Sequence, residues 1–249
     1  MSYRARIIPV LLIQQGALVK TEKFSAPRYV GDPINAIKIF NEKEVDEMVV
    51  LDIDASKKNQ AINFALIRDL ASECFMPLAY GGGIKTMHDI EQLIKSGVEK
   101  VIINSTALEN PSFISEAAKR FASSTIVVSI DITKSFFGNY ILYSAAGKMV
   151  VSSWKYHLAQ MEDAGAGEIL IQTVQQDGIM KGFDLKLIGE ISRAVSIPVI
   201  ACGGAGSFSD LRSVISTGAS AAAAGSMFVY TGAHKAVLIS YPSSLDMNW

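Results

Sequence analysis

The sequence predicts a single α/β domain over residues 1–249, a (β/α)8 barrel with an internal half-barrel duplication. Short β-rich runs alternate with segments of helical periodicity along the chain. Eight strands and eight helices can be counted, which is the number that closes such a barrel. Glycine-bearing strand ends also recur 121 positions apart, so that Gly82 corresponds to Gly203 and Asp89 to Asp210. A doubly wound open sheet would share the alternation but would not explain this repeat.

The strands are predicted from short β-rich runs, several of which end at a glycine or a polar residue. They cover Arg6–Ile13, Glu47–Asp52, Met76–Gly81, Lys100–Asn104, Thr125–Asp131, Glu168–Thr173, Pro198–Gly203 and Ala221–Gly225.

The helices are predicted from apolar periodicity between the strands, with start signals at Asp32-Pro33 and Asn110-Pro111. They cover Pro33–Glu44, Asn59–Cys74, Thr86–Ser96, Ser112–Phe121, Trp154–Asp163, Leu185–Val195, Ser209–Thr217 and a last helix after Thr231. The connection from Gln14 to Tyr29 is long and polar, so we expect either a lid or a disordered loop there.

Two glycine-rich strand ends, Tyr80–Ile84 and Cys202–Gly206, predict where a ligand binds. Glycines directly after a strand let a ligand approach the backbone, and the N-terminus of the following helix offers unpaired N–H groups to an anion. Either stretch alone could be an ordinary turn. Because the two are duplicated, we expect a ligand with a phosphate at each end.

The composition limits the class of function. A net charge of −1 and a pI near 6.3 argue against nucleic acid or an anionic membrane as a partner. The cysteines suggest neither a disulfide framework nor a zinc site, and no signal peptide or membrane-spanning run is recognisable, so we expect a soluble, cytoplasmic protein. The three histidines lie away from the predicted strand ends, so we expect no metal and no other cofactor.

In a barrel of this kind, the chemistry takes place on the loops that follow the strands. The candidate residues are therefore those at the strand ends: Leu12, Asp52, Gly82, Asn104, Asp131, Thr173, Gly203 and Ser226.

A set of motifs resembles one enzyme family over almost the whole chain, to about Val237. The motifs are Arg6-Ile-Ile, Val50-Leu-Asp-Ile-Asp-Ala-Ser56, Gly81-Gly-Gly-Ile84, Ile103-Asn-Ser105, Ile130-Asp131, Asp177-Gly178 and Gly203-Gly-Ala-Gly206. The chain resembles the cyclase subunit of imidazole glycerol phosphate synthase. The resemblance implies a glutaminase partner at the N-terminal face of the barrel, ammonia passing through the barrel, and a bis-phosphorylated ribulosyl aminoimidazole carboxamide bound at the other face.

The resemblance also implies roles for individual residues. One phosphate is expected at Gly82, Asn104 and Ser105, and the other at Gly204, Gly225 and Ser226. Residues that begin four strands match the family's charged ring at the ammonia entrance: Arg6, Glu47, Lys100 and Glu168. An ordinary cluster of solvated ion pairs is the alternative for this ring.

The catalytic residues match the family only in part. The family uses two aspartates, at the ends of the first and fifth strands, as general acid and base. Asp131 occupies the fifth-strand position, but Leu12 replaces the first-strand aspartate. Lys20 matches the family's lid lysine, and Asp177, by itself a turn residue, matches a functional carboxylate.

Three functions follow from this partial match. The tail Phe228–Pro242 resembles a branch associated with acetamidino modification of bacterial surface sugars. We therefore favour a barrel that passes ammonia to such an amidation, together with a separate sugar amidotransferase. The second function is the cyclase of histidine biosynthesis, tolerating Leu12, and the third is a non-catalytic barrel that docks its glutaminase. Gln172 and Gln175, where the family usually has threonine and aspartate, also indicate altered chemistry.

Overall fold

The computed structural model describes residues 5–144, 153–232 and 234–242. A closed parallel barrel forms because the first strand pairs with the eighth, Arg6 beside Ala221, as well as with the second. Numbered first to eighth, the barrel strands are Arg6–Gln14, Met48–Asp52, Leu78–Gly81, Lys100–Ile103, Ile126–Lys134, Glu168–Thr173, Val199–Cys202 and Ala221–Ala224. The predicted (β/α)8 fold is confirmed.

Helices cover the outside of the barrel. They are Pro33–Glu42, Phe64–Ser72, Met87–Lys95, Ser105–Glu109, Ser112–Phe121, Trp154–Asp163, Leu185–Ala194, Phe208–Ser216 and Ser226–Val229, with short 3-10 helices at Ser123–Thr125 and Val174–Gln176. The helices that follow the two glycine-rich strand ends begin alike, since Thr86 with Asp89 and Ser207 with Asp210 form capping boxes. The half-chain repeat therefore extends to the local hydrogen bonding.

The inside of the barrel changes in character from one end to the other. Alternate residues of a strand point to the same face, so the first strand directs Arg6, Ile8, Val10 and Leu12 inward. Charged side chains thus lie at the amino-terminal end of the barrel, and apolar ones fill its middle. The apolar middle is formed by Ile8, Val10, Val49, Ala79, Ile102, Val127, Leu170, Ile200, Ala221 and Ala223.

The long first connection is an ordered hairpin, not a disordered loop. Its strands, Ala17–Glu22 and Ser25–Gly31, continue the sheet from the first strand in antiparallel pairing. The turn into it uses Gln15 and Gly16, both with positive φ (52° and 80°), as two-residue hairpin turns require. We call residues 17–31 the lid hairpin. A second, smaller hairpin forms where Tyr140–Leu142 pairs with the end of the fifth strand.

The predicted last helix after Thr231 is wrong for the described residues; 243–249 lie outside them. Tyr230–Thr231 and Ala236–Val237 pair as a short hairpin, and an extended segment follows. This segment returns to the first strand, where the Tyr241 hydroxyl donates to the Ile7 carbonyl at 2.8 Å. Gly232 has a φ of 74°, a left-handed backbone conformation that is incompatible with a right-handed helix at this position. No helix among the described residues is long and apolar enough to cross a membrane.

Candidate active site

A cavity of about 580 Å³ lies at the carboxyl-terminal end of the barrel. Its lining includes most of the strand-end residues that the sequence predicts. These are Leu12, Asp52, Gly82, Asn104 and Asp131, and the lining also contains Ser105, Gln172 and Asp177. A smaller cavity of about 30 Å³ adjoins it, lined by residues that include Lys20, Gly203, Gly204, Gly225 and Ser226. Both predicted phosphate sites therefore lie at the same end of the barrel.

Asp131 is the most strongly perturbed carboxylate in the large cavity. It lies near the end of the fifth strand and is only 4% exposed. Burial raises the pKa of Asp131 to about 7, although hydrogen bonding to Ser129 and Asn104 acts in the opposite direction. The Ser129 hydroxyl lies 3.4 Å from the carboxylate. A carboxyl group with a pKa near neutrality can both donate and accept a proton at physiological pH.

Leu12 shares this cavity but supplies no titratable group. Two further aspartates in the lining already have hydrogen-bond partners. Asp52 accepts hydrogen bonds from the backbone N–H groups of Asp54 and Ala55, at 3.0 and 3.1 Å, and so stabilises its own turn. Asp177 binds the lid hairpin. Burial raises the pKa of Asp52 and of Asp177. Asp131 is thus the aspartate of this lining that no turn or hairpin engages.

The first cradle, formed by Gly82, Asn104 and Ser105, opens on the large cavity. A side chain at Gly82 would overlap the Asp52 carbonyl, so only glycine fits where these two strand ends lie close together. The Asn104 amide donates to the Ser129 carbonyl at 3.0 Å, while its Oδ1 has no hydrogen-bond partner among the described residues. The exposed lysines Lys57 and Lys85 complete this lining.

The second cradle, formed by Gly204, Gly225 and Ser226, lines only the small cavity. A side chain at Gly204 would overlap the Gly182 carbonyl, and one at Gly225 would overlap Lys20 Nζ. The ammonium of Lys20 therefore lies inside the cradle that the sequence assigns to a phosphate.

Lys20 is a buried residue of the lid hairpin, only 4% exposed, and its ammonium donates to the Val10 carbonyl. Burial lowers the pKa of Lys20 to about 8, partly opposed by the charge of Asp177. The sequence places a lysine in the lid but gives no sign of this burial, because the contacts come from strands distant in the chain.

Asp177 fastens the lid hairpin to the loop after the sixth strand. Its carboxylate accepts from the Thr21 hydroxyl at 2.8 Å and from the Phe24 N–H at 3.2 Å, while its carbonyl accepts from the Lys23 N–H at 3.0 Å. Phe24 also packs edge-on against Tyr143. Sequence reasoning did not identify Thr21 and Phe24 as parts of the site, since no local motif marks them.

At the opposite end of the barrel, the four predicted ring residues meet. The Arg6 guanidinium lies 2.6 Å from Glu47 and 3.0 Å from Glu168, and the Lys100 ammonium lies 2.9 and 3.1 Å from the same two carboxylates. Burial lowers the pKa of Arg6, but hydrogen bonds and charge from Glu168 and Glu47 outweigh it and raise the pKa overall. The two cations and two anions of this group alternate around the amino-terminal end of the apolar barrel interior. We call this group the charged ring.

The described residues contain no group of three or more histidine, cysteine or acidic side chains that could hold a metal ion. His157 is buried under its helix, and burial lowers its pKa.

Comparison with known proteins adds a family assignment. A family model described as histidine biosynthesis protein matches residues 6–235. A Pseudomonas aeruginosa protein, provisionally named imidazole glycerol phosphate synthase subunit hisF2, is 52% identical over 241 residues and 96% of each chain. A Leptospira interrogans protein, provisionally named as the HisF subunit, is 45% identical over 98% of this chain and 97% of its own. The imidazole glycerol phosphate synthase subunit HisF of Alkaliphilus metalliredigens is 40% identical over 90% of each chain.

Proposed function

We propose that this chain, which belongs to the HisF family of histidine biosynthesis proteins, is the ammonia-using cyclase subunit of an imidazole glycerol phosphate synthase. The synthase names of its relatives favour this function over the sugar amidation that the tail indicates. In this proposal the substrate is the bis-phosphorylated ribulosyl aminoimidazole carboxamide, and ammonia comes from a glutaminase subunit bound at the charged ring.

The observation that carries the proposal is the position of Asp131 between two cradles. One buried carboxylate with a pKa near 7 shares a cavity of about 580 Å³ with the first cradle, and the second cradle adjoins that cavity. A ligand with a phosphate in each cradle would extend across the end of the barrel past Asp131. Ammonia addition and ring closure both transfer protons, and a carboxyl group that titrates near pH 7 suits these transfers.

The charged ring and the apolar interior support the delivery step. Ammonia is small and neutral, whereas ammonium would have to lose its hydration to enter an apolar interior. Four ion pairs join the residues of the ring, and in this proposal at least one pair separates when ammonia enters. We propose that the glutaminase partner promotes that separation.

Leu12 favours a second candidate, in which the barrel delivers ammonia to a different acceptor. With one of the two family carboxylates absent, the cyclase step would lose a positioned acid–base group, which typically contributes about 10²–10⁴ in rate. In that case a separate sugar amidotransferase would consume the ammonia, and the phosphate ligand would bind without turnover.

Ammonium-driven turnover of the bis-phosphorylated substrate by the purified chain separates the two candidates. We expect measurable turnover, a loss of about 10²–10⁴ on Asp131→Asn, and a gain on Leu12→Asp. If the natural chain is silent while Leu12→Asp is active, the cyclase proposal fails and the second candidate is favoured. Silence of both, with glutaminase activity still raised on mixing with the partner, would indicate a barrel that only docks its partner.

A further inference from the structure

We infer that the carboxamide of Gln172 is a specificity-determining group that binds hydroxyls of the ligand between its two phosphates. This inference rests on the proposed function, because it assumes a ligand that occupies both cradles. No role follows for Gln172 from the sequence beyond its difference from the family's usual threonine.

The backbone places Gln172 beside the reacting centre. On the sixth strand its Cα pairs with Asp131 on one side and with Cys202 on the other. Alternation along the strand directs Glu168, Leu170 and Gln172 to the interior, one above another. Gln172 is therefore the first polar side chain above the apolar middle on this strand, next to the carboxylate that we propose for proton transfer.

Gln172 also lies between the two cradles. Three residues line both the large and the small cavity, namely Leu12, Gln172 and Asp177. A ligand that reaches from one cradle to the other must pass these three side chains. Leu12 is apolar, and the Asp177 carboxylate is engaged by Thr21 and Phe24. Gln172 differs from both, since its side chain is polar and half-buried, and no described residue forms a hydrogen bond with its carboxamide.

The chemistry of a carboxamide fits a hydroxylated chain. It offers two N–H donors and a carbonyl acceptor, whereas a carboxylate at this place would offer acceptors alone. A hydroxyl group can donate a hydrogen bond to the amide oxygen or accept one from the amide N–H. A site built to hydrogen-bond a hydroxyl also rejects an analogue without one, because its own polar group would then lie unpaired. Leu12 on the first strand offers an apolar surface to the same part of the ligand.

Binding measurements with two probes test the inference. Gln172→Leu keeps the approximate volume and removes the amide, so we expect about tenfold weaker binding of the bis-phosphorylated ribulosyl aminoimidazole carboxamide by calorimetry. Inorganic phosphate, which needs only a cradle, should bind Gln172→Leu and the natural chain equally. The matched control is Gln175→Leu, because Gln175 is exposed, and within the described part of the chain its one hydrogen bond is to the Lys134 carbonyl, at 3.4 Å. In turnover, Gln172→Leu should raise KM more than it lowers kcat.

The outcomes separate this inference from the function on which it rests. Equal binding of the substrate by the natural chain and Gln172→Leu would overturn the inference and leave the cyclase proposal standing. A natural chain that binds inorganic phosphate but not the substrate would overturn both. Thermal melting of each variant checks that any weaker binding does not come from unfolding, and Gln172→Asn, which retains a shorter amide, should recover part of the affinity.

Discussion

The two cradles have the same backbone plan and different access. In each, a strand ends in consecutive glycines and a helix follows with a capping box, formed by Thr86 with Asp89 in one and by Ser207 with Asp210 in the other. The first opens on about 580 Å³, whereas the second has about 30 Å³ because the lid hairpin places Lys20 in it. The duplication thus determines the backbone of a site, while the lid hairpin determines how much space a ligand finds there.

The largest expected difference is in how two glycines, Gly83 next to the first cradle and Gly204 in the second, tolerate a side chain. At equivalent positions of the repeat, a Cβ on Gly83 meets the Ala55 side chain at 3.0 Å, whereas one on Gly204 overlaps the Gly182 carbonyl. Both substitutions strain a positive φ, but only the second also displaces backbone. We expect Gly204→Ala to lower the free energy of unfolding by about 4 kcal/mol and Gly83→Ala by about 2 kcal/mol. Urea denaturation measures both, and equal losses would contradict the comparison.

The next difference is in pH dependence, which has opposite signs at the two sites. Asp131 has a raised pKa of about 7, so between pH 4 and 7 the folded chain binds the extra proton and stability falls as pH rises. Lys20 has a lowered pKa of about 8, so between pH 8 and 10.5 the unfolded chain binds the extra proton and stability rises with pH. Each effect is on the order of 3 kcal/mol.

Asp131→Asn and Lys20→Met should each remove one of these two slopes and leave the other. Denaturation curves collected across both pH windows measure this. The assignment of the slopes would be wrong if either variant changed both.

A smaller effect is expected from the lysines themselves. We expect Lys20→Met to weaken phosphate binding at the second cradle by about 10–100-fold, because a charge-assisted hydrogen bond contributes about 1.5–3 kcal/mol. Lys85→Met is the matched control at the first cradle, and its exposed lysine should contribute about twofold or less. Phosphate titration by calorimetry measures both. Stronger binding by Lys20→Met would show that the lysine obstructs the cradle instead of serving as its counter-charge.

The smallest effect concerns the fastening of the lid hairpin. Asp177→Ala removes the hydrogen bonds from Thr21 and Phe24. The free energy needed to open the hairpin should therefore fall by about 1–2 kcal/mol. Hydrogen exchange at the backbone N–H groups of Ala17–Glu22 should accelerate, while the helix Met87–Lys95 beside the first cradle keeps its protection. Unchanged exchange in the hairpin would show that its remaining contacts, among them Lys20 and the packing of Phe24 on Tyr143, suffice to hold it closed.

The barrel and the ends of its strands could be predicted because their signals are local. The run Val128–Asp131 indicates a buried strand with a carboxylate near its end without any knowledge of its neighbours, although the strand continues three residues further, to Lys134. The repeat then specifies which ends are equivalent, and the structure confirms the fold that this implies. The charged ring also follows from the start of each strand, since closing the barrel brings Arg6 and Glu168 together.

The contents of the second cradle and the form of the tail could not be predicted in the same way. Lys20 is buried by Val10 and Gly225, and Asp177 is engaged by Thr21, so both environments depend on contacts between distant segments. The turn at Gln15-Gly16 was the available signal for the lid hairpin, and its glycine indicates a hairpin as readily as a loop. The tail has apolar residues at helical spacing, but pairing between Tyr230–Thr231 and Ala236–Val237 prevails.

The pairing between the first and eighth strands, which we call the seam, determines when the newly made chain can close into a barrel. Each other barrel strand pairs with strands adjacent in order of synthesis, but Ala221–Ala224 leaves the ribosome long after its partner Arg6–Gln14. Until then, one edge of the first strand exposes unpaired N–H and C=O groups that another nascent chain could extend. Tyr241, which bonds to Ile7 across this seam, is made later still. The edge of the first strand is therefore protected only after Ala221–Ala224 has been made and has paired with it.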